Sequence, residues 1–422
     1  MQLDFKVLAA RAKFKILFNY VKICAKERKI FAGGEEMADG LMAVLARETG
    51  GTSYRAYKYS LDNAERPYID YLEDEIVWQK QAETEQVKTY VNLFDLSKKL
   101  ALHNENIFSY FLDGSRRVFK VDDIAYGGDN GIYPVIAGQI GVACCRRINK
   151  KISPEKLKYE IVLALPDIAN ADGKSGFFDG KVIKLNESKI LKRVNLEIAS
   201  ILAYKTNRAN SRDDKFEDRG TACIQSRMSK LEQEMVAELV KKGKLNQDNY
   251  LIKDGSLEYK PLNLKADAKE RNKFKFNYNW VIGVSKSFNP EVCFDIHGKP
   301  NPGYIANLPL YHRTPAACFK NARLFGDIEF AVWYVRIRDR QETRTAFDGI
   351  LKLEKMLVTQ EENENGIASG LIDLLSANII NERSPVCYGT DLRWTNHIYP
   401  VYLTERYIKS KYLSAESFLN LF

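Results

Sequence analysis

Two stretches of the chain run into the same tripeptide. Phe108-Ser109-Tyr110-Phe111-Leu112 leads into Asp113-Gly114-Ser115, and Tyr250-Leu251-Ile252-Lys253 leads into Asp254-Gly255-Ser256. An apolar run that stops at Gly and Ser reads as a buried strand ending in a turn, which puts each carboxylate at a strand tip. Carboxylates at neighbouring tips are hard oxygen ligands of the kind Mg²⁺ and Mn²⁺ prefer. Two such ions, about 4 Å apart, activate a water and stabilise the leaving oxygen of a phosphodiester. A lone Asp-Gly-Ser is ordinarily a type I turn with Asp as its hydrogen-bonding residue. The pair, with a particular order of elements between them, points to phosphodiester hydrolysis.

That order sets the fold. Residues 107–113, 117–126 and 133–146 have strand character, and Gly127-Gly128-Asp129-Asn130-Gly131 makes a hairpin of the last two. Residues 159–165 extend or cap the sheet. A polar stretch, 167–220, reads as an insertion with mobile loops. Residues 226–242 then form a helix with Met228, Leu231, Met235 and Leu239 on one face, carrying Glu232 and Glu234. Strands at 250–254, 280–285 and 328–337 follow, then helices at 347–357, 368–380 and 403–412. A helix that returns the chain between distant strands brings them side by side, so Asp113 and Asp254 meet while the helix offers a Glu. Three converging carboxylates repel unless cations neutralise them. The expected class is α/β, a ribonuclease H-like mixed sheet flanked by helices. Taken singly, Glu232 and Glu234 are also what a solvated helix face looks like.

Residues 1–105 read as a helical N-terminal region for packing or dimerisation, and 106–422 as the catalytic domain. Phe5, Leu8, Phe14, Leu17, Tyr20 and Val21 recur at helical spacing among Lys6, Arg11, Lys13 and Lys22, and 67–102 reads as a second long helix. A basic amphipathic helix of this kind lies on a membrane, on nucleic acid, or on its own core or a sister subunit.

The motifs resemble the NurA nucleases. In that family a first strand ends in Asp-Gly-Ser, as at Leu112-Asp113-Gly114-Ser115, and a later one in Asp-Gly, as at Ile252-Lys253-Asp254-Gly255-Ser256. The next strand carries a Gly-(Ile/Val)-Ser-Lys signature, matched by Gly283-Val284-Ser285-Lys286. The helix between the Asp motifs corresponds to Arg227–Glu234, with Glu232 favoured over Glu234 as its catalytic Glu. Tyr399-Pro400-Val401-Tyr402-Leu403-Thr404-Glu405 resembles the family's last segment, with Glu405 where a His or acidic ligand belongs. His397 and Asp391 are the alternatives for that position. The resemblance implies a metal-dependent deoxyribonuclease, exo- or endonucleolytic, that uses Mn²⁺ or Mg²⁺ and leaves a 5′-phosphate. It further implies a homodimer partnered with a HerA-type hexameric ATPase on DNA, in end processing during repair or in anti-phage defence.

Composition sets the remaining bounds. With 422 residues, 45% hydrophobic and 28% charged, the chain can bury a sizeable core. The net charge of +9 suits a polyanionic partner without demanding one. Its seven cysteines include no Cys-x-x-Cys pair, and an odd count fits a reducing compartment. No stretch is apolar for long enough to span a bilayer, and no signal peptide opens the chain, so the expectation is a cytoplasmic protein without a membrane. No P-loop motif occurs. Lys286, at the end of its strand, is a candidate contact to the scissile phosphate. Arg336, Arg338 and Arg340, with Trp333 and Tyr334 nearby, alternate onto one strand face and form a candidate phosphate track. Two rival readings stand: a catalytically altered, PIWI-like ribonuclease H-fold module that binds nucleic acid, and an assembly protein that binds a partner through its apolar tail, 418–422.

Overall fold

The computed structural model describes residues 40–54, 58–61, 77–85, 87, 89–126, 131–170, 172–207, 215–257, 268–289, 299, 301–320, 328–343, 345–385 and 392–422. The amphipathic segment at 1–31 lies outside them, as does Asp391.

The chain forms a mixed α/β fold around one large sheet. Its strands are β1 (Gly51–Tyr54), β2 (Tyr59–Ser60), β3 (Val77–Gln81), β4 (Val91–Asn92), β5 (Phe108–Tyr126), β6 (Ile132–Ile148), β7 (Lys151–Pro166), β8 (Ile198–Tyr204), β9 (Tyr250–Asp254), β10 (Val281–Ser285), β11 (His312–Arg313), β12 (Ala317–Lys320), β13 (Glu329–Arg336) and β14 (Ile350–Met356). The main path runs β3-β12-β13-β14-β10-β9-β5-β6-β7-β8, with β1 and β2 on the distal half of β5. At its centre β7, β6 and β5 are antiparallel, while β9 and β10 run parallel to β5. This is the ribonuclease H-like order expected from the sequence.

The helices are α1 (Leu41–Glu48), α2 (Phe94–His103), α3 (Phe177–Asn186), α4 (Lys189–Val194), α5 (Phe216–Lys241), α6 (Ala268–Asn277), α7 (Pro302–Ala306), α8 (Gln360–Asn365), α9 (Ser369–Asn381), α10 (Tyr399–Lys409) and α11 (Ala415–Leu419). Helix α5 buries Met228, Leu231 and Met235 with Leu112, Val118 and Ile140 on one face of the sheet. On the other face Ile372 and Leu375 of α9 and Val401 of α10 pack with Phe111, Ile252, Ile282 and Leu353. Each core follows from period-2 alternation along the strands meeting period-3.6 stripes on the helices.

Several expectations are corrected. Asp113-Gly114-Ser115 is no turn: β5 continues through it, paired to Ala143, Val142 and Gly141 of β6. Once its backbone groups are satisfied by the ladder, the glycine has no reason to break the strand. Among the described residues of 67–102, 77–81 and 91–92 are strands that join the sheet, and the helix there begins only at Phe94. The region 167–220 holds α3, α4 and the edge strand β8, parallel to β7, so its described part is built structure. Residues 350–356 are strand β14 and not helix, because Leu351 and Leu353 alternate with Ile350, Lys352 and Glu354 across a sheet flanked on both sides. The apolar tail is not left over for a partner: Phe418 and Leu421 pack with Phe119, Val121 and Leu45 in the chain's own core. Among the described residues no helix is long and apolar enough to cross a membrane.

Candidate metal and catalytic site

The site is set by register. Phe111 pairs with Ile252 and Leu112 with Lys253 on the parallel strands β5 and β9, so Asp113 and Asp254 occupy successive corresponding positions. Neighbouring strands lie about 4.8 Å apart, which makes these two carboxylates sheet neighbours. Both share the face of Phe111 and Ile252, the side covered by α9 and α10. Ser115, two residues on and on that same face, lies beside Tyr412 just beyond α10. By alternation Lys286, following β10, points the same way as Ile282 and Val284. Its Nζ lies 2.9 Å from Asp254 Oδ2.

Glu405 comes from α10, where it pairs with Lys409 at 2.6 Å. Its negative charge is felt by both Asp113 and Lys286. The structure thus gathers Asp113, Asp254, Glu405 and Lys286 on one face.

Glu232 arrives from the other face. Arg116 Nε donates to Gln225 of α5 at 2.7 Å, so Gly114 and Arg116 face α5 while Asp113 faces away. A Cβ on Gly114 would collide with the Glu232 carboxylate. The glycine of Asp-Gly-Ser therefore serves close approach and not a turn, letting an acid from α5 lie against the backbone beside Asp113. Glu232 Oε2 sits 3.4 Å from Lys253 Nζ. Glu234 instead points outward to Lys158 at 2.9 Å and Arg227 at 3.4 Å.

Electrostatics follow the geometry. Burial pushes the Asp113 carboxyl well above the usual carboxylate range, and Asp254, Glu405 and Glu232 push the same way against Lys286. Glu232 is likewise raised by burial and by Asp254, with Lys253 opposing. Burial disfavours the charge on Lys286, but Asp254 and Asp113 overcome it and hold the ammonium above its ordinary value. The donor set is all hard oxygen and its negative charge is incompletely offset, a combination that suits Mg²⁺ or Mn²⁺. Among the described residues no three His, Cys, Asp or Glu groups stand at ligating spacing.

His397, the alternative to Glu405 for its ligand position, is buried and stacked on the Tyr402 ring, centroids 5.6 Å apart. One expectation fails. The arginine track is not an exposed face. Arg336 is 1% exposed and donates to the carbonyls of Leu308, Ala306, Asp348 and Ala346, and burial lowers its pKa to about 10. Arg338 is also buried, over the Trp394 ring, and Arg340 lies past the end of β13, donating to Asn307. Alternation gives side-chain parity but not what covers the face; here α7 and the 345–348 loop do. Arg336→Ala is expected to destabilise the fold by roughly 1.5–3 kcal/mol or more, the scale of one lost charged hydrogen bond. A phosphate track would instead give Arg336→Ala unaltered stability and a shallower salt dependence of any nucleic-acid binding.

Sequence reasoning missed Lys253 and Glu354. Lys253 lay inside the Asp-Gly-Ser run itself. Glu354 was hidden in a segment whose Lys-Leu-Glu-Lys-Met composition favours helix, although Leu351 and Leu353 already alternated with charged residues.

No family model matches the chain, and no curated protein matches it. Among solved structures it is similar to the NurA nuclease from Sulfolobus solfataricus at 10% identity, over 78% of this chain and 90% of that one, with a TM-score of 0.40.

Proposed function

We propose that the chain is a metal-dependent DNA nuclease that hydrolyses phosphodiester bonds where Asp113 and Asp254 meet. The observation that carries this reading is the register of β5 on β9, which sets the two aspartates side by side on one face. Asp113, Asp254 and Glu405 would hold Mn²⁺ or Mg²⁺, with the Glu232 carboxylate behind Gly114 adding its negative charge to the site. Bound there, the metal supplies an activated water and charge stabilisation at the leaving oxygen. Asp113 and Asp254 orient the site from rigid strands, and Lys286 is held by Asp254 with its ammonium available to a phosphate oxygen.

Cleavage of end-labelled DNA is the test. Activity should require Mn²⁺ or Mg²⁺, stop with chelator, and fall by about 10²–10³-fold in Asp254→Ala, the loss typical when a group stabilising transition-state charge is removed. Undiminished metal-dependent cleavage in both Asp254→Ala and Asp113→Ala would refute the assignment.

The motif resemblance supports two further parts of this proposal: a homodimer, and a HerA-type hexameric ATPase that drives duplex DNA to the site in repair or anti-phage defence. ATP-dependent processing of duplex should then need the second protein. Processive duplex degradation by the isolated chain would contradict that partnership.

One observation favours a second reading. The Lys286 ammonium already pairs with Asp254, and no described trio of ligating groups is assembled. A PIWI-like, ribonuclease H-fold module that binds nucleic acid without cutting it would look this way. DNA binding without any metal-dependent cleavage is its signature.

A further inference from the structure

The turn that follows Asp254 is gripped from several sides by groups that no motif singled out. Glu354 lies on β14 directly opposite Gly283 of β10, and is 1% exposed. Its Oε2 accepts from Ser256 Oγ at 2.8 Å and from the Leu257 backbone N–H at 2.7 Å. The other oxygen, Oε1, faces Lys352 Nζ at 2.6 Å. The carbonyls of the same turn are taken by Lys253, whose Nζ donates to Asp254 O at 2.8 Å and Ser256 O at 3.0 Å. Gly255 N–H donates to Val284 O at 2.8 Å, fixing the turn to β10. A side chain on Gly283 would meet Leu257 Cγ at 2.8 Å and Gly255 O at 3.0 Å, so the turn folds back onto that glycine.

An anion therefore holds the turn's N–H and O–H groups while a cation holds its carbonyls. Both lie on the α5 face, opposite the Asp254 carboxylate. The Lys253 that grips the turn also pairs with Glu232, which ties that carboxylate to the turn's carbonyls through one ammonium.

We propose that Glu354 is a positioning residue of the metal site: by clamping Ser256 and Leu257 it fixes the backbone that aims Asp254 at Asp113. This rests on the metal-dependent reading above. Glu354 itself does not reach the reacting face. Outer partners of this kind typically change metal affinity or activity by 10–100-fold when removed.

The test is Mn²⁺ binding by calorimetry to the full chain, beside circular dichroism and thermal melts. Glu354→Ala should weaken Mn²⁺ binding by about 10–100-fold. Glu354→Gln, whose amide oxygen still accepts from Leu257 N–H, should recover a substantial part of it. Ser256→Ala, which loses one of the two turn bonds, should fall between Glu354→Ala and the unaltered chain, and it keeps the proposal testable if Glu354→Ala fails to fold. The affinity order unaltered, Ser256→Ala, Glu354→Ala supports the clamp. Equal affinity in Ser256→Ala, or in a folded Glu354→Ala, overturns it while leaving the nuclease reading intact. An unaltered chain that binds no Mn²⁺ overturns both.

Discussion

Asp113→Asn is expected to abolish metal-dependent cleavage and, in the metal-free protein, to raise the melting temperature at pH 7. The two effects have one cause. Burial, together with the charges of Asp254, Glu405 and Glu232, holds the Asp113 carboxyl above its ordinary value. A carboxyl whose folded pKa is raised contributes stability in full below its unfolded pKa of about 3.9, and that stability is lost as pH rises through the folded pKa. At neutral pH Asp113 thus weighs against the fold, and asparagine removes that cost while keeping nearly the same shape. The advantage of the variant should shrink as pH falls toward the unfolded pKa. Saturating Mn²⁺ should reverse it, since a ligand at 100 times its Kd stabilises the binding-competent chain by about 2.7 kcal/mol. A metal-free Asp113→Asn protein that melts lower than the unaltered chain at pH 7 would show that the four acids do not repel as described.

Arg313→Met is expected to cost about 3–5 kcal/mol, the usual loss when one member of a buried ion pair is removed. Arg313 is fully buried; its Nη1 and Nη2 lie 3.2 and 2.9 Å from the two oxygens of Glu83, and its Nε lies 2.5 Å from Asp373 Oδ1. Glu83 also accepts from Ala316 N–H at 2.7 Å and its side chain is fully buried, so without the guanidinium it becomes an unpaired interior anion. Adding Glu83→Gln should restore much of the loss, because the stranded charge goes with it. The midpoint of urea unfolding reads both effects. A loss below about 1 kcal/mol, as for an exposed pair, would mean that the 77–85 segment is not locked into the sheet this way.

The geometry of the candidate site was more legible than the elements around it. Two apolar runs ending in the same Asp-Gly-Ser, separated by a hairpin and a Glu-bearing helix, were enough to anticipate β5 beside β9, because hydrophobic alternation and crossover connections constrain strand neighbours strongly. The role of Gly114 was not legible. A glycine before serine looks like a turn, and only the approach of Glu232 from α5, more than a hundred residues on, explains why no side chain fits there. Glu354 was lost for a related reason: Lys, Glu, Met and Leu favour helix locally, and pairing with β10 and β13 overrode that preference. Arg336 had the correct parity and the wrong environment, since the carbonyls that enclose it come from Ala306 of α7, from Leu308 just after it and from the loop before β14.

The most direct measurement is crystallographic. Crystals of the full chain soaked in Mn²⁺, with data collected at the manganese absorption edge, should give an anomalous peak bounded by the carboxylates of Asp113 and Asp254, lost in Asp113→Asn. Manganese found only at other positions, or a peak that survives that substitution unchanged, would contradict a hydrolytic centre at this pair.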